Sequence, residues 1–146
     1  DLLREVLDHA ALDVIQLHGH ESAGRVAEVK ALTGLPVMKA VGLSGPADLP
    51  QLMDYGVAAD MLLVDAKPPA GADLPGGNGL AFDWRLLVRR PWLRPWMLAG
   101  GLTPDNVAEA VRLTGAPVVD VSSGVERAPG VKDVALIRAF VEAARS

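Results

Sequence analysis

The alternation of short apolar runs with segments of helical periodicity is the feature that most limits the folds open to this sequence. Apolar runs occur at residues 13–19, 37–42, 59–67, 96–99 and 118–121, and helical spacing occurs at 21–34, 47–55, 83–88, 104–113 and 134–144. Strands that are apolar on both faces are typical of parallel sheets covered by helices. We therefore predict about five parallel βα units in one α/β domain.

Length, composition and charge exclude several classes of protein. A chain of 146 residues that is 50% hydrophobic predicts a single domain spanning residues 1–146. A net charge of −4 argues against a nucleic-acid surface. No apolar run approaches the roughly 20 residues needed to cross a bilayer, and the first residues do not resemble a signal peptide. We expect no membrane partner, and a cytoplasmic location is the default expectation.

The sequence contains no cysteine, which excludes disulfides, thiolate metal sites and a cysteine nucleophile within it. Neither histidines nor carboxylates occur at a spacing typical of metal ligands. We expect no metal.

Two glycine- and serine-rich turns follow the last two apolar runs. Gly100 and Gly101 end the first, and Ser122, Ser123 and Gly124 end the second. Small residues let backbone N–H groups approach an anion such as phosphate, although the same residues also shape tight strand-to-helix turns. Both interpretations remain open for either motif alone, whereas their pairing across one βα unit favours an anion site.

Polar residues end the other apolar runs, where ligands of parallel α/β proteins bind. These residues are His18, Lys39 and Asp65, with Asp120 in the last run. The apolar residues before Asp65 should partly desolvate its carboxylate, as a general acid requires, although a capping role is the alternative. His18 is either a substrate contact or a hydrogen-bonded structural residue. Lys39 either binds an anion or pairs with a nearby carboxylate.

A glycine-rich loop at residues 68–79 is too long for a simple connection. Loops of this kind are either lids over a site or disordered, and the sequence does not separate these alternatives.

The motifs resemble those of the phosphoribosylanthranilate isomerase family in identity and in order. They are VIQLHG (14–19), MKAVG (38–42), LLVDAK (62–67), GGNG with FDW (76–84), LAGGLTPDNVAEA (98–110) and VDVSSGVERAPGVKD (119–133). The resemblance implies a TIM (β/α)8 barrel, of which this chain would form an incomplete barrel of about five parallel βα units, strands 4 to 8.

The resemblance also implies a reaction. The family's substrate is N-(5-phosphoribosyl)anthranilate, which undergoes an Amadori rearrangement in tryptophan biosynthesis without a cofactor. By position, Asp65 would be the general acid and Gly100, Gly101, Ser122 and Ser123 would bind phosphate. The remaining substrate-binding positions would be His18, Asp120, Gly77 and Gly79.

The chain lacks two segments that carry family motifs, and Leu80 departs from the family's usual lysine or threonine in the glycine loop. The family's general base is a cysteine at the end of the first strand, and an arginine after the second strand holds the anthranilate carboxylate; neither segment is found here. We therefore expect a partial barrel without its N-terminal strands and catalytic base, inactive as written. Two alternatives remain: a non-catalytic half-barrel that binds phosphosugars, and another phosphate-binding TIM-barrel enzyme. A homodimer or a fusion to another enzyme is open for the full protein.

Overall fold

The computed structural model describes residues 2–67 and 82–146. The whole of the glycine-rich loop at 68–79, including Gly77 and Gly79, lies outside the described residues. The helices are α1 (Leu2–His9), α2 (Ala23–Thr33), α3 (Pro50–Ala58), α4 (Val107–Thr114) and α5 (Val134–Ala144). The strands are β1 (Ile15–Leu17), β2 (Val37–Leu43), β3 (Met61–Ala66), β4 (Trp96–Ala99), β5 (Glu126–Ala128) and β6 (Val131–Lys132).

The first four strands form a parallel sheet in the order β1-β2-β3-β4. The alternation of strands and helices predicted this arrangement, but the predicted fifth strand is not fully formed. The apolar run at 118–121 joins the sheet through a single parallel bridge between Leu98 and Val119. Among the described residues, the structure therefore shows four parallel strands and one bridge where a partial barrel of five units was predicted. Val118 beside that bridge is exposed, so burial adds little to extend the pairing.

Side chains alternate between the two faces of the sheet, and the faces differ in chemistry. The helix-covered face holds the main core, which includes Val37 and Val41 of β2 and Leu62 and Val64 of β3. The opposite face holds a small apolar cluster formed by Ala40, Leu63 and Ala99, with Met38 and Met97 packed against it. Two residues beyond Leu63, Asp65 lies on this second face. The polar end of this face is therefore at the carboxyl end of the strands.

Capping groups fix the limits of the best-predicted helices. The Ser22 hydroxyl accepts a hydrogen bond from Arg25 N, and Gly34 ends α2 with a left-handed φ of 67°. The Asp133 carboxylate accepts hydrogen bonds from Ala135 N and Leu136 N at the start of α5. Both ends follow from residue types visible in the sequence.

Three other helix predictions need correction. The predicted helix at 104–113 begins instead at Val107, after a turn in which Asn106 N bonds to Thr103 O. The segment predicted as helix at 83–88 contains only a 3-10 turn, Trp84–Leu87, because Val88 returns to an extended conformation. The predicted helix at 47–55 is split into a 3-10 turn, Pro46–Asp48, and α3.

The antiparallel pair formed by β5 and β6 has no counterpart among the predicted elements. Gly130 in its turn has a φ of 75°, a conformation that favours glycine. The Pro-Gly pair at 129–130 was the available turn signal.

Candidate functional site

A cavity of about 270 Å³ lies at the carboxyl end of the strands. It brings together the described residues to which the family resemblance assigns a catalytic or binding role. The lining includes His18, Asp65, Gly100, Gly101, Asp120, Ser122 and Ser123, and also Gln16, Leu63, Ala99, Leu102, Val121 and Gly124. Residues from four separate chain segments therefore converge on one space, which is where parallel α/β proteins bind ligands.

Asp65 is a half-buried carboxylate at the end of β3. Its side chain is 19% exposed, and its Oδ2 lies 3.8 Å from His18 Nε2 and 3.5 Å from Lys67 Nζ. The apolar strand behind it and the two nitrogen groups beside it create an environment distinct from that of a surface aspartate. The carboxylate lines the cavity directly and is in reach of a group bound there.

His18 lies beside Asp65 and is oriented by Gln16, two residues earlier on the same face of β1. Gln16 Nε2 is 3.3 Å from His18 Nδ1. The Nε2 atom of the ring faces Asp65, and the amide group of Gln16 lies on the Nδ1 side. The sequence analysis did not single out Gln16. Its position two residues before His18 was the signal that could have found it.

Gly100 and Gly101 have different structural roles. Both have positive φ, 87° and 61°. A Cβ atom at Gly100 would lie 2.2 Å from Ala66 O and 2.6 Å from Asp65 Oδ1, so Gly100 permits close contact with the end of β3. A Cβ atom at Gly101 would meet nothing within 4 Å. Gly101 therefore has open space around it, as an approaching ligand requires.

Asn106 holds the Gly101 turn in place. Its Nδ2 donates to Gly101 O at 2.9 Å, and its Oδ1 accepts from Thr103 N at 2.8 Å. The turn therefore has a side-chain support that keeps its backbone in one conformation.

The Ser122–Ser123 turn is supported from the β5–β6 pair. Lys132 Nζ donates to Ser122 O at 2.8 Å and lies 3.2 Å from Ser122 Oγ. The same ammonium pairs with Glu126 at 2.7 Å, and this hydrogen bond is the main cause of the lowered pKa of Glu126. The sequence analysis did not identify this function of Lys132, which depends on the unpredicted strand pair.

Gly124 and Asp120 complete this side of the cavity. A Cβ atom at Gly124 would lie 1.8 Å from Leu102 O, so glycine is needed for the turn to pack against the segment after Gly101. Asp120 is exposed, and its backbone N donates to Leu98 O at 2.8 Å. The single bridge to β4 thus fixes where Asp120 lies.

Lys39 was predicted either to bind an anion or to pair with a carboxylate, and the structure shows the pair. Its side chain is 2% exposed, and its Nζ lies 3.0 Å from Glu21 Oε2. Burial tends to raise the pKa of Glu21, but the hydrogen bond and charge of Lys39 and the backbone N–H groups outweigh burial and lower it. Lys39 does not line the cavity that contains Asp65.

Within residues 2–67 and 82–146, no cluster of three or more histidines and carboxylates is arranged to hold a metal ion. No helix in these ranges has the length and apolar character needed to cross a membrane.

The fold and the cavity together define a class: an α/β protein with a parallel sheet and a cavity at the carboxyl ends of its strands. Comparison with known proteins gives the family. Residues 1–143 match the model of N-(5'-phosphoribosyl)anthranilate (PRA) isomerase, and the chain belongs to this family.

Relatives with this activity are closely similar in sequence. The chain is 71% identical over 139 residues to N-(5'-phosphoribosyl)anthranilate isomerase of Paracoccus denitrificans, covering 95% of this chain and 65% of that protein. It is 64% identical over 145 residues to the enzyme of Cereibacter sphaeroides, covering 99% of this chain and 68% of that protein. The chain thus spans about two thirds of the length of these relatives.

A solved structure of phosphoribosyl anthranilate isomerase from Thermotoga maritima is similar in fold. It superposes with a TM-score of 0.79 at 37% identity, over 97% of this chain and 67% of that chain. A second solved isomerase, in complex with reduced 1-(o-carboxyphenylamino)-1-deoxyribulose 5-phosphate, gives a TM-score of 0.75 at 34% identity, over 97% of this chain and 66% of that one.

Proposed function

We propose that this chain provides the general acid and the phosphate site of a phosphoribosylanthranilate isomerase of tryptophan biosynthesis. The observation that carries the proposal is the single cavity in which Asp65 and the Gly100–Gly101 and Ser122–Ser123 turns meet. The solved relative that contains a carboxyphenylamino deoxyribulose phosphate supports the substrate class, because that compound has both a phosphate and an arylamine.

In this proposal the substrate is N-(5-phosphoribosyl)anthranilate. Its phosphate accepts hydrogen bonds from backbone N–H groups of the Gly100–Gly101 and Ser122–Ser123 turns. Asp65, in its protonated form, donates a proton to the ribose ring oxygen, and the C–O bond of the ring breaks to give an imine. His18 and Asp120 line the sugar and anthranilate region, and Gly77 and Gly79 are proposed to contact the substrate from the loop. Neither a cofactor nor a metal is needed.

A general base must then remove the C2′ proton. The family uses a cysteine in this step, and this sequence contains none. The proposal assigns no residue of this chain to that step. That this chain forms strands 4 to 8 of a barrel, and that it is cytoplasmic, also stay predictions.

The test separates binding from turnover. Isomerase turnover, followed by the loss of phosphoribosylanthranilate fluorescence, is measured for this chain and for the same chain with the flanking sequence that its gene encodes. Turnover in either form, lost in the Asp65→Asn variant, supports the proposal. Absence of turnover in both forms, with both folded, would contradict it and would favour a phosphosugar-binding module if binding persists.

The phosphate site has its own test. Inorganic phosphate is titrated into ¹⁵N-labelled chain, and the amide signals are followed by NMR. The proposal expects the largest shifts at Gly101 and Ser123. Shifts confined to exposed arginines and lysines, with none in the two turns, would contradict the assigned site.

A further inference from the structure

Lys39 lies behind the site, on the helix-covered face of β2, and its ammonium holds the chain segment that bears His18. Lys39 Nζ donates to Gly19 O at 2.8 Å and to Leu17 O at 3.5 Å. These two carbonyls immediately precede and follow His18. A single buried cation therefore restrains the backbone on both sides of this histidine.

Glu21 closes the same network. Its carboxylate accepts a hydrogen bond from Lys39 Nζ at 3.0 Å and from Gly19 N at 3.0 Å. The turn at 19–21 is thus linked to Lys39 through a backbone carbonyl and through a side chain. The exit of the chain from β1 is fixed in position by these bonds.

Tyr55 of α3 joins the network from the helix layer. Its hydroxyl donates to Glu21 O at 2.9 Å, and its ring centroid lies 5.3 Å from Lys39 Nζ. The contact between a cation and an aromatic face is favourable where both are desolvated. β1, β2 and α3 are therefore joined at one point behind His18.

Lys39 is 2% exposed and Glu21 is 26% exposed, and an ion pair with a buried partner contributes little net stability, because desolvation offsets the attraction. Its value lies in geometry, since it allows few alternative arrangements of the groups that it binds. The backbone so restrained carries His18, whose side chain is 59% exposed and whose Nε2 lies 3.8 Å from Asp65 Oδ2.

We propose that Lys39, paired with Glu21, is a positioning residue that sets the orientation of His18 relative to Asp65. It acts through the backbone carbonyls of Leu17 and Gly19 and touches no reacting atom. Its effect on catalysis rests on the proposed function, whereas its effect on the geometry of His18 does not.

The variant for the test is Lys39→Met/Glu21→Gln, which removes both charges together and leaves neither unpaired in a buried position. The matched control is Lys30→Met/Asp60→Asn. Lys30 and Asp60 also form an ion pair, but Asp60 bonds to Val37 N at the amino end of β2, far along the strands from His18. Circular dichroism tests whether both variants are folded.

The first measurement needs no activity. The imidazole ¹⁵N signals of His18 are assigned by loss in His18→Asn, and their response to Asp65→Asn is recorded in each background. We expect a clear response in the wild type and in the control background and the loss of most of it in Lys39→Met/Glu21→Gln. An unchanged response in that variant would overturn the proposal. If the variant does not fold, Tyr55→Phe, which removes only the hydroxyl bond to Glu21, replaces it with a smaller expected loss.

The second measurement is a double-mutant cycle on kcat/KM, with the form of the protein that turns over. We expect Lys39→Met/Glu21→Gln to lower kcat/KM about tenfold or more, and His18→Asn to add no further loss in that background. Full additivity of the two losses would contradict action through His18. If no form turns over, the proposed function fails, and the ¹⁵N measurement still decides the role of Lys39.

Discussion

Gly100 lies so close to the end of β3 that a Cβ atom on it would come within 2.6 Å of Asp65 Oδ1. The turn proposed to bind phosphate and the carboxylate proposed to donate a proton are therefore in direct contact. A change in one will move the other, because there is no space between them to absorb it.

Substitution of the two neighbouring glycines should have different effects. Gly100→Ala should destabilise the protein strongly and displace Asp65, because Ala66 O and Asp65 Oδ1 occupy the space of the methyl group. Gly101→Ala has open space and should cost only about 1 kcal/mol for its positive φ. Urea unfolding measures this difference, and equal losses of stability in the two variants would contradict it.

A bulky residue at Gly101 should act on binding. Gly101→Leu should mainly raise KM for the phosphorylated substrate, because its side chain projects into the space through which the phosphate approaches. Steady-state kinetics measures KM, with Gly101→Ala as the control for the cost of φ. An unchanged KM would mean that this glycine only shapes the turn.

Asp65→Asn should reduce kcat by about 10²- to 10⁴-fold, because an amide cannot donate a proton as a general acid does. KM should change little. The control is Glu28→Gln, which removes an exposed carboxylate that pairs with Arg25 on α2. Activity near that of the wild type in Asp65→Asn would exclude Asp65 from the mechanism.

Lys132→Met should loosen the Ser122–Ser123 turn, since Lys132 holds both the carbonyl and the hydroxyl of Ser122. We expect a higher KM with a smaller change in kcat, and weaker binding of inorganic phosphate by NMR. Arg112→Met is the control. Among the ion pairs of the described residues, Arg112 takes part only in the one with Glu109, on the exposed face of α4. The assignment would be wrong if both variants behaved alike.

The ion pair between Asp60 and Lys30 should make stability depend on pH. The pKa of Asp60 lies below its ordinary value of 3.8. The main cause is the hydrogen bond from Lys30, and the second is the hydrogen bond from Val37 N. A lowered folded-state pKa means that the stabilisation is present above the ordinary value and is lost as pH falls through the folded pKa. Asp60→Asn should therefore cost about 1 kcal/mol near pH 7 and progressively less below about pH 4. Urea unfolding across this range measures the difference, and a pH-independent difference would contradict the expectation.

The elements that the sequence predicted best are those with local signals. α5 was predicted at 134–144 and occupies Val134–Ala144, because Asp133 caps it directly. β2 and β3 were found from their apolar runs, which need burial on both faces. Local residue types were sufficient where the stabilising partners lie within a few residues.

The elements that the sequence predicted badly depend on distant partners. The run at 118–121 has the composition of a strand, yet its pairing with β4 is a single bridge. Contacts of Lys132 with Glu126 and Ser122 hold the β5–β6 pair. Such contacts leave no periodic pattern in the sequence. Whether such segments pair is decided by the surface against which they pack.

The sequence by itself determined the order of the four strands of the parallel sheet and the polar residues at the strand ends, including His18 and Asp65, because these depend on periodicity and on residue type. Only the tertiary structure decided that Lys39 pairs with Glu21 behind His18 and that Gly100 lies against Asp65. These contacts join residues far apart in the chain, and their geometry exists only after the strands are aligned side by side.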